Sequence, residues 1–218
     1  MKKAFALLLV LALCLPLCAC FGSISPAITE PAPLTTEELY NQLVDHAKNG
    51  QYQEGKRLYI RNGDLASYKD AKDYYQYCVI IDGYYSKGRL GYTYRELSKI
   101  SNILDVETIL NEIDQKIQHL EGEWVEDNGR GAYLYLAIKD GYVANAVVAY
   151  GEADQGFVYT DEDFIYEIVE HTYSTGEVGL AIKESYSINY FEDDQTLMLI
   201  KFEGAQFDTF NGVYEKVN

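Results

Sequence analysis

Ala132-Tyr133-Leu134-Tyr135-Leu136-Ala137-Ile138-Lys139-Asp140-Gly141-Tyr142-Val143-Ala144-Asn145-Ala146-Val147-Val148-Ala149-Tyr150 is the stretch that decides the fold of the second half of this chain. Leu134, Leu136 and Ile138 fall on one face of an extended segment, and Tyr133 and Tyr135 on the other. That period of two is the mark of a strand with one buried face. Asp140-Gly141 is the dipeptide that a tight hairpin turn prefers, because both central residues need positive φ. Two strands, Ala132 to Ile138 and Tyr142 to Tyr150, are therefore expected to pair. Downstream, Phe164 to Tyr173, Val178 to Phe191 and Thr196 to Phe202 continue the alternation, and Val213 to Val217 reads as a short final strand. Glu192-Asp193-Asp194 supplies a turn. Six to eight short antiparallel strands with polar turns predict a small barrel or curled sheet over residues 122–218.

Upstream of Gly122 the apolar period is helical. Val106, Ile109, Leu110, Ile113, Ile117 and Leu120 recur every three or four residues after Asp105 as cap, and Gly122 is placed as the C′ residue. Thr35-Thr36-Glu37-Glu38 reads as a capping box, with Leu39, Leu43, Val44 and Ala47 on one face and Asn49-Gly50 as the stop. Gln51 to Arg61 predicts a second short helix, and Asn62-Gly63-Asp64 a turn. Ser67 or Asp64 would cap a third helix that turns Ala71, Tyr74, Tyr75, Cys78 and Ile81 inward. Tyr84 to Tyr94 is broken by Gly83, Gly88 and Gly91 and gives no clear element. The fold class expected is α+β, with a helical part at 35–121 and a β part at 122–218.

The first residues carry an address. Lys2 and Lys3 precede an apolar run from Ala4 to Leu17. At about 14 residues this run is shorter than the roughly 18–20 that span a bilayer, and it reads as an export signal. Leu17-Cys18-Ala19-Cys20 resembles the lipobox of bacterial lipoproteins. That resemblance implies cleavage after residue 19, lipid attachment at Cys20, and a place on the extracytoplasmic face of the cell membrane. The bare residues also allow an ordinary signal cut near Ala19, or an uncleaved anchor. Residues 20–34 read as a tether, since Pro26, Pro31 and Pro33 sit there and the remaining proline, Pro16, is in the signal. Of four cysteines, the lipobox resemblance implies that Cys14 and Cys18 leave with the signal and that Cys20 is acylated. Cys78 remains, among apolar neighbours, as a small buried hydrophobe.

Net charge −16 repels phosphate backbones and excludes nucleic acid as a partner. It equally excludes a membrane mode built on basic residues, which leaves the lipid as the anchor.

Two further resemblances concern architecture. Gly50-Gln51-Tyr52-Gln53-Glu54, Leu58 and Tyr68-Lys69-Asp70-Ala71-Lys72 resemble tetratricopeptide-like repeats of exported Gram-positive lipoproteins, with an echo at Tyr94-Arg95-Glu96-Leu97. The resemblance implies a helical surface at 35–121 for an envelope protein partner. Leu120-Glu121-Gly122-Glu123-Trp124 is similar to the Gly-x-Trp opening of lipocalins. Phe210-Asn211-Gly212-Val213-Tyr214-Glu215-Lys216 is similar to the Gly-x-Tyr-x-(Lys/Arg) close of their bacterial relatives. This implies that Trp124 and Tyr214 are structural signatures of a lipocalin-like barrel, the tryptophan plugging one end and packing on the last strand.

Catalytic signals are scarce. His46, His119 and His171 are far apart in sequence and have no metal-ligand spacing. The chain has no Gly-x-Ser-x-Gly and no phosphate loop. Asp161-Glu162-Asp163 and Glu192-Asp193-Asp194 read as solvated turns without the spacing of a calcium loop. No metal and no cofactor is expected. Twenty-one tyrosines form the compositional outlier, and tyrosine suits both a small aromatic core and a binding surface. Tyr133, Tyr135, Tyr142 and Tyr150 are the candidate surface for a ligand, glycan or partner. The expectation is a non-enzymatic binding or scaffolding protein. The alternatives are a glycan hydrolase using a carboxylate pair and a purely structural envelope protein.

Overall fold

A computed structural model describes residues 33–127, 129, 131–149, 158–183, 185–205 and 210–217. The signal segment 1–19, Cys20, nearly all of the tether, and Tyr150 lie outside the described residues. Thr35–Asn218 forms one compact unit. It is α+β, with five α-helices among the described residues followed by a closed eight-stranded antiparallel barrel.

Helix α1 (Thr36–Lys48) opens on the expected capping box: the Glu38 N–H donates to Thr35 Oγ1 at 3.2 Å, and the Thr35 N–H to Glu38 Oε2 at 2.8 Å. Helix α2 (Tyr52–Arg61) is followed by a 3-10 turn, Gly63–Ser67, that buries Leu65. Helix α3 (Ala71–Gly83) begins later than Ser67 or Asp64 as cap requires, because that 3-10 turn consumes the intervening residues. Asp70 stands at its N-cap, yet its carboxylate accepts the Tyr40 hydroxyl at 2.6 Å instead of a backbone N–H of its own helix. Helix α5 (Val106–Ile117) repeats the arrangement: Asp105 is at the N-cap and accepts the Tyr77 hydroxyl at 2.6 Å. In each case a charge-assisted bond between helices replaces a local cap. Between α3 and α5 lies helix α4 (Leu90–Leu97), in the stretch where the glycines left no readable pattern. Gly122, expected to close α5, instead opens the first strand; a 3-10 turn, Gln118–Leu120, ends the helical part.

The barrel runs β1 (Gly122–Asp127), β2 (Ala132–Lys139), β3 (Tyr142–Ala149), β4 (Tyr166–Thr172), β5 (Val178–Ile182), β6 (Tyr186–Phe191), β7 (Thr196–Lys201) and β8 (Gly212–Lys216). Each strand pairs with the next, and β8 returns to β1 with Trp124 opposite Lys216. The Asp140-Gly141 turn has φ +51° and +75°, as a tight hairpin requires. The single stretch Val178 to Phe191 is two strands, reversing where the Ser185 N–H donates to the Ile182 carbonyl at 3.0 Å. At about 3.3 Å per residue, an unbroken strand of that length would overrun its six- and seven-residue neighbours.

One hydrophobic core serves both parts. Ile113, Ile117 and Leu120 from the helical side join Trp124, Ile138, Val143, Ile168, Tyr186, Leu197 and Tyr214 from inside the barrel. The helices thus cover the barrel end that holds Gly122 and the Asp140-Gly141 turn. Helix α4 crosses this turn at backbone contact, since a side chain on Gly91 would collide with the Gly141 carbonyl. A smaller cluster of Leu43, Leu65 and Ala71 holds α1 to α3.

Candidate functional site

The seam between α4 and the barrel is built on a buried acid. Glu167, on the outer face of β4, is 4% exposed. Its carboxylate accepts Arg89 Nε at 2.9 Å and Nη2 at 2.6 Å through one oxygen, and the Tyr92 backbone N–H at 3.0 Å through the other. The Tyr92 N–H belongs to the first turn of α4, where no intrahelical acceptor exists. Glu167 therefore caps α4 from the barrel, and the hydrogen bonds it accepts hold the Arg89 guanidinium above its already high ordinary pKa.

With α4 fixed in this way, the segment leading into it, the helix itself and β3 together present a ladder of rings and guanidinium groups. The Arg89 guanidinium lies 5.0 Å from the ring centroids of both Tyr84 and Tyr92, which stack on each other at 3.9 Å. The Arg95 guanidinium lies 5.6 Å from Tyr92 and 4.4 Å from Tyr142. Such cation–ring contacts set the orientation of a planar cation without using its N–H donors. Arg95, Tyr142 and Phe164 line two adjoining grooves, of about 980 and 410 Å³. The larger continues over Tyr166, Lys183 and Ser185. Among the described residues its wall holds three cations, Arg89, Arg95 and Lys183, against three acids, Asp161, Glu162 and Glu167. In a chain of net charge −16 this balance makes the seam locally neutral.

The sequence candidates fall in different places. Tyr133 and Tyr135 share the outer face of β2 with ring centroids 6.2 Å apart, both partly buried. Tyr142 is on the same outer face, opposite Lys139, but is 6% exposed beneath Arg95. The tyrosine row is therefore two settings, an outer pair and a seam residue. Trp124 and Tyr214 face the barrel interior and are fully buried. The Trp124 Nε1–H donates to the Leu120 carbonyl at 2.8 Å, and the Tyr214 hydroxyl to the Phe210 carbonyl at 3.1 Å. The Lys216 ammonium lies 5.2 Å from the Trp124 ring.

The three histidines remain apart: His46 meets Gln51, His119 packs on Tyr190, and His171 on Phe202 and Tyr173. Among the described residues no group of three or more His, Cys, Asp or Glu side chains is placed to hold a metal ion. Asp161 bonds Lys139 at 3.0 Å, from a 3-10 turn capped by Thr160. Sequence reasoning missed Arg89, Tyr92, Arg95, Phe164, Tyr166 and Glu167 as a set. The signal available was Arg89-Leu90-Gly91-Tyr92-Thr93-Tyr94-Arg95, two arginines and two tyrosines in a chain where basic residues are a minority. No protein-family model, curated protein or solved structure matches the chain.

Proposed function

We propose that this chain is an extracytoplasmic binding protein, lipid-anchored to the cell membrane at Cys20, that takes a ligand in the seam between α4 and the barrel. The groove is the observation that carries the reading. It has the volume of a small-molecule site, aromatic walls, and a few fixed polar groups. The address rests on Lys2, Lys3, the apolar run to Leu17 and Leu17-Cys18-Ala19-Cys20.

Trp124 on β1, beside β8 and over the 3-10 turn, supports a lipocalin-like reading of the barrel. Its interior is filled by Trp124, Leu136, Ile168, Tyr186, Leu197 and Tyr214. A ligand is therefore sought outside the barrel. The helical layer, with tyrosine–carboxylate bonds linking α1 to α3 and α3 to α5, is the scaffold that holds α4 in register.

Two experiments test the reading. Cys20→Ser is expected to move the protein from the membrane to the soluble fraction and to abolish acyl labelling; unchanged fractionation overturns the anchor. A small-molecule extract of the cells is expected to raise the melting temperature of the full chain in detergent. Ser185→Trp, which fills the groove, should remove that shift. A shift that persists in the variant places the ligand elsewhere.

A further inference from the structure

Tyr142 is 6% exposed, and among the described residues its hydroxyl makes no hydrogen bond. The ring is buried, but its hydroxyl is open to the groove, where it can donate to water or to a ligand. Burial pushes this hydroxyl up to about 12, so it is a donor at any physiological pH. Beside it, the Arg95 guanidinium is in a similar state. Its side chain is 46% exposed, and its nearest acid is Glu96, 3.5 Å from Nε. Glu96 is itself engaged by Lys99 at 2.7 Å. Among the described residues no N–H of Arg95 makes a hydrogen bond, and two rings pack against the group. A planar group of donors packed on the Tyr142 ring, beside a hydroxyl donor open to the same groove, is complementary to one planar anion.

We infer that the seam groove binds a small monocarboxylate with an aromatic body, its carboxylate taken by the Arg95 guanidinium edge and the Tyr142 hydroxyl. This names the ligand class of the groove and rests on the binding reading above. With Arg89 held by Glu167 and Asp161 by Lys139, Arg95 and Lys183 stand against Glu162 in the wall, a surplus that admits one negative charge. A doubly charged phosphate would bring one charge more than these groups offset, against Glu162. Phe164, Tyr166 and Tyr92 offer ring faces and edges to the body of the ligand.

The test is calorimetric titration of the full chain in detergent with benzoate, phenylacetate and N-acetylphenylalanine. Benzamide serves as the neutral match and phenyl phosphate as the dianion. Carboxylates are expected to bind at least about tenfold more tightly than benzamide, the worth of a charge-assisted bond. Arg95→Gln should weaken them by about 10- to 100-fold, and Tyr142→Phe, which keeps the ring under Arg95, by about 3- to 10-fold. Arg95→Lys, with the charge but not the fork, should fall between wild type and Arg95→Gln. Melting curves verify folding, and Tyr142→Phe keeps the inference testable if Arg95→Gln does not fold. Equal binding of benzamide, tighter binding of phenyl phosphate, or no loss in Arg95→Gln and Tyr142→Phe each overturns it. If no carboxylate binds while the cell extract still raises the melting temperature through the groove, the ligand class is wrong and the binding reading stands. If neither acts, both fall.

Discussion

Glu167 shows how much one residue can decide. It is a charged side chain 4% exposed, and it is tolerated because each oxygen has a donor. Removing one member of a buried pair strands the other, which typically costs about 3–5 kcal/mol. Arg89 is 29% exposed, so water recovers part of the loss. Glu167→Ala is therefore expected to destabilise by about 3 kcal/mol in urea unfolding, at the low end of that range. Glu167→Gln, whose amide oxygen still accepts the Tyr92 N–H, should cost clearly less. Equal costs for the two would mean that the charge, and not the cap on α4, carries the interaction. The same residue illustrates what a sequence hides. Arg89 and Glu167 stand 78 positions apart, and Glu167 lies in a strand whose alternation says only that it faces outward.

At the scale of the element, α4 is held by close backbone approach. Its eight residues give barely two turns, too few to be stable alone. Its place is set by Gly91 against Gly141 and Gly88 against Glu170. Alanine is intrinsically the better helix residue by about 1 kcal/mol, so propensity alone predicts that Gly91→Ala stabilises. The structure predicts the reverse, because the new methyl meets the rigid Gly141 carbonyl. The expected loss is about 1–3 kcal/mol, the range for overpacking, read as a lowered melting temperature. Gly83→Ala is the matched control. Nothing lies within 4 Å of the added carbon there, and a gain of about 0.5 kcal/mol is expected. A stable Gly91→Ala would show that α4 can shift on the barrel.

For the whole molecule, the shared core predicts a single cooperative transition. Trp124 is the only tryptophan and is fully buried in the barrel, so its fluorescence reports the barrel while far-UV dichroism is weighted to the helices. Both probes are expected to give the same midpoint and slope in urea. Separate midpoints would show that residues 35–121 and 122–218 fold independently.

The tyrosine-rich interior also predicts an alkaline limit. Burial raises the Cys78 thiol from an ordinary 9.0 to about 11, and the Tyr85 and Tyr142 hydroxyls from 10.0 to about 12. Each group holds its proton more tightly folded than unfolded. The stability linked to these groups is therefore intact below pH 9 and is lost as pH rises through 9 to 12. Urea midpoints should decline across that window, with Tyr142→Phe declining less; a flat profile would contradict the burial.

What the sequence determined by itself was local and periodic. Alternation in Ala132 to Ile138 and the Asp140-Gly141 turn specified a hairpin, Thr35 and Glu38 specified a helix start, and the apolar repeat from Val106 specified α5. These signals lie within one turn or one strand, where geometry follows from neighbours along the chain. The tertiary structure alone decided the rest. It set β8 against β1, split Val178 to Phe191 to match the barrel, and diverted Asp70 and Asp105 from capping to tyrosine hydroxyls. It also ordered α4, too short to show a period, through Gly141 and Glu167. The candidate site belongs to this second class. Arg95, Tyr142 and Phe164 come from a helix, a strand and a connecting segment, and only the packing of the helical layer on the barrel brings them to one groove.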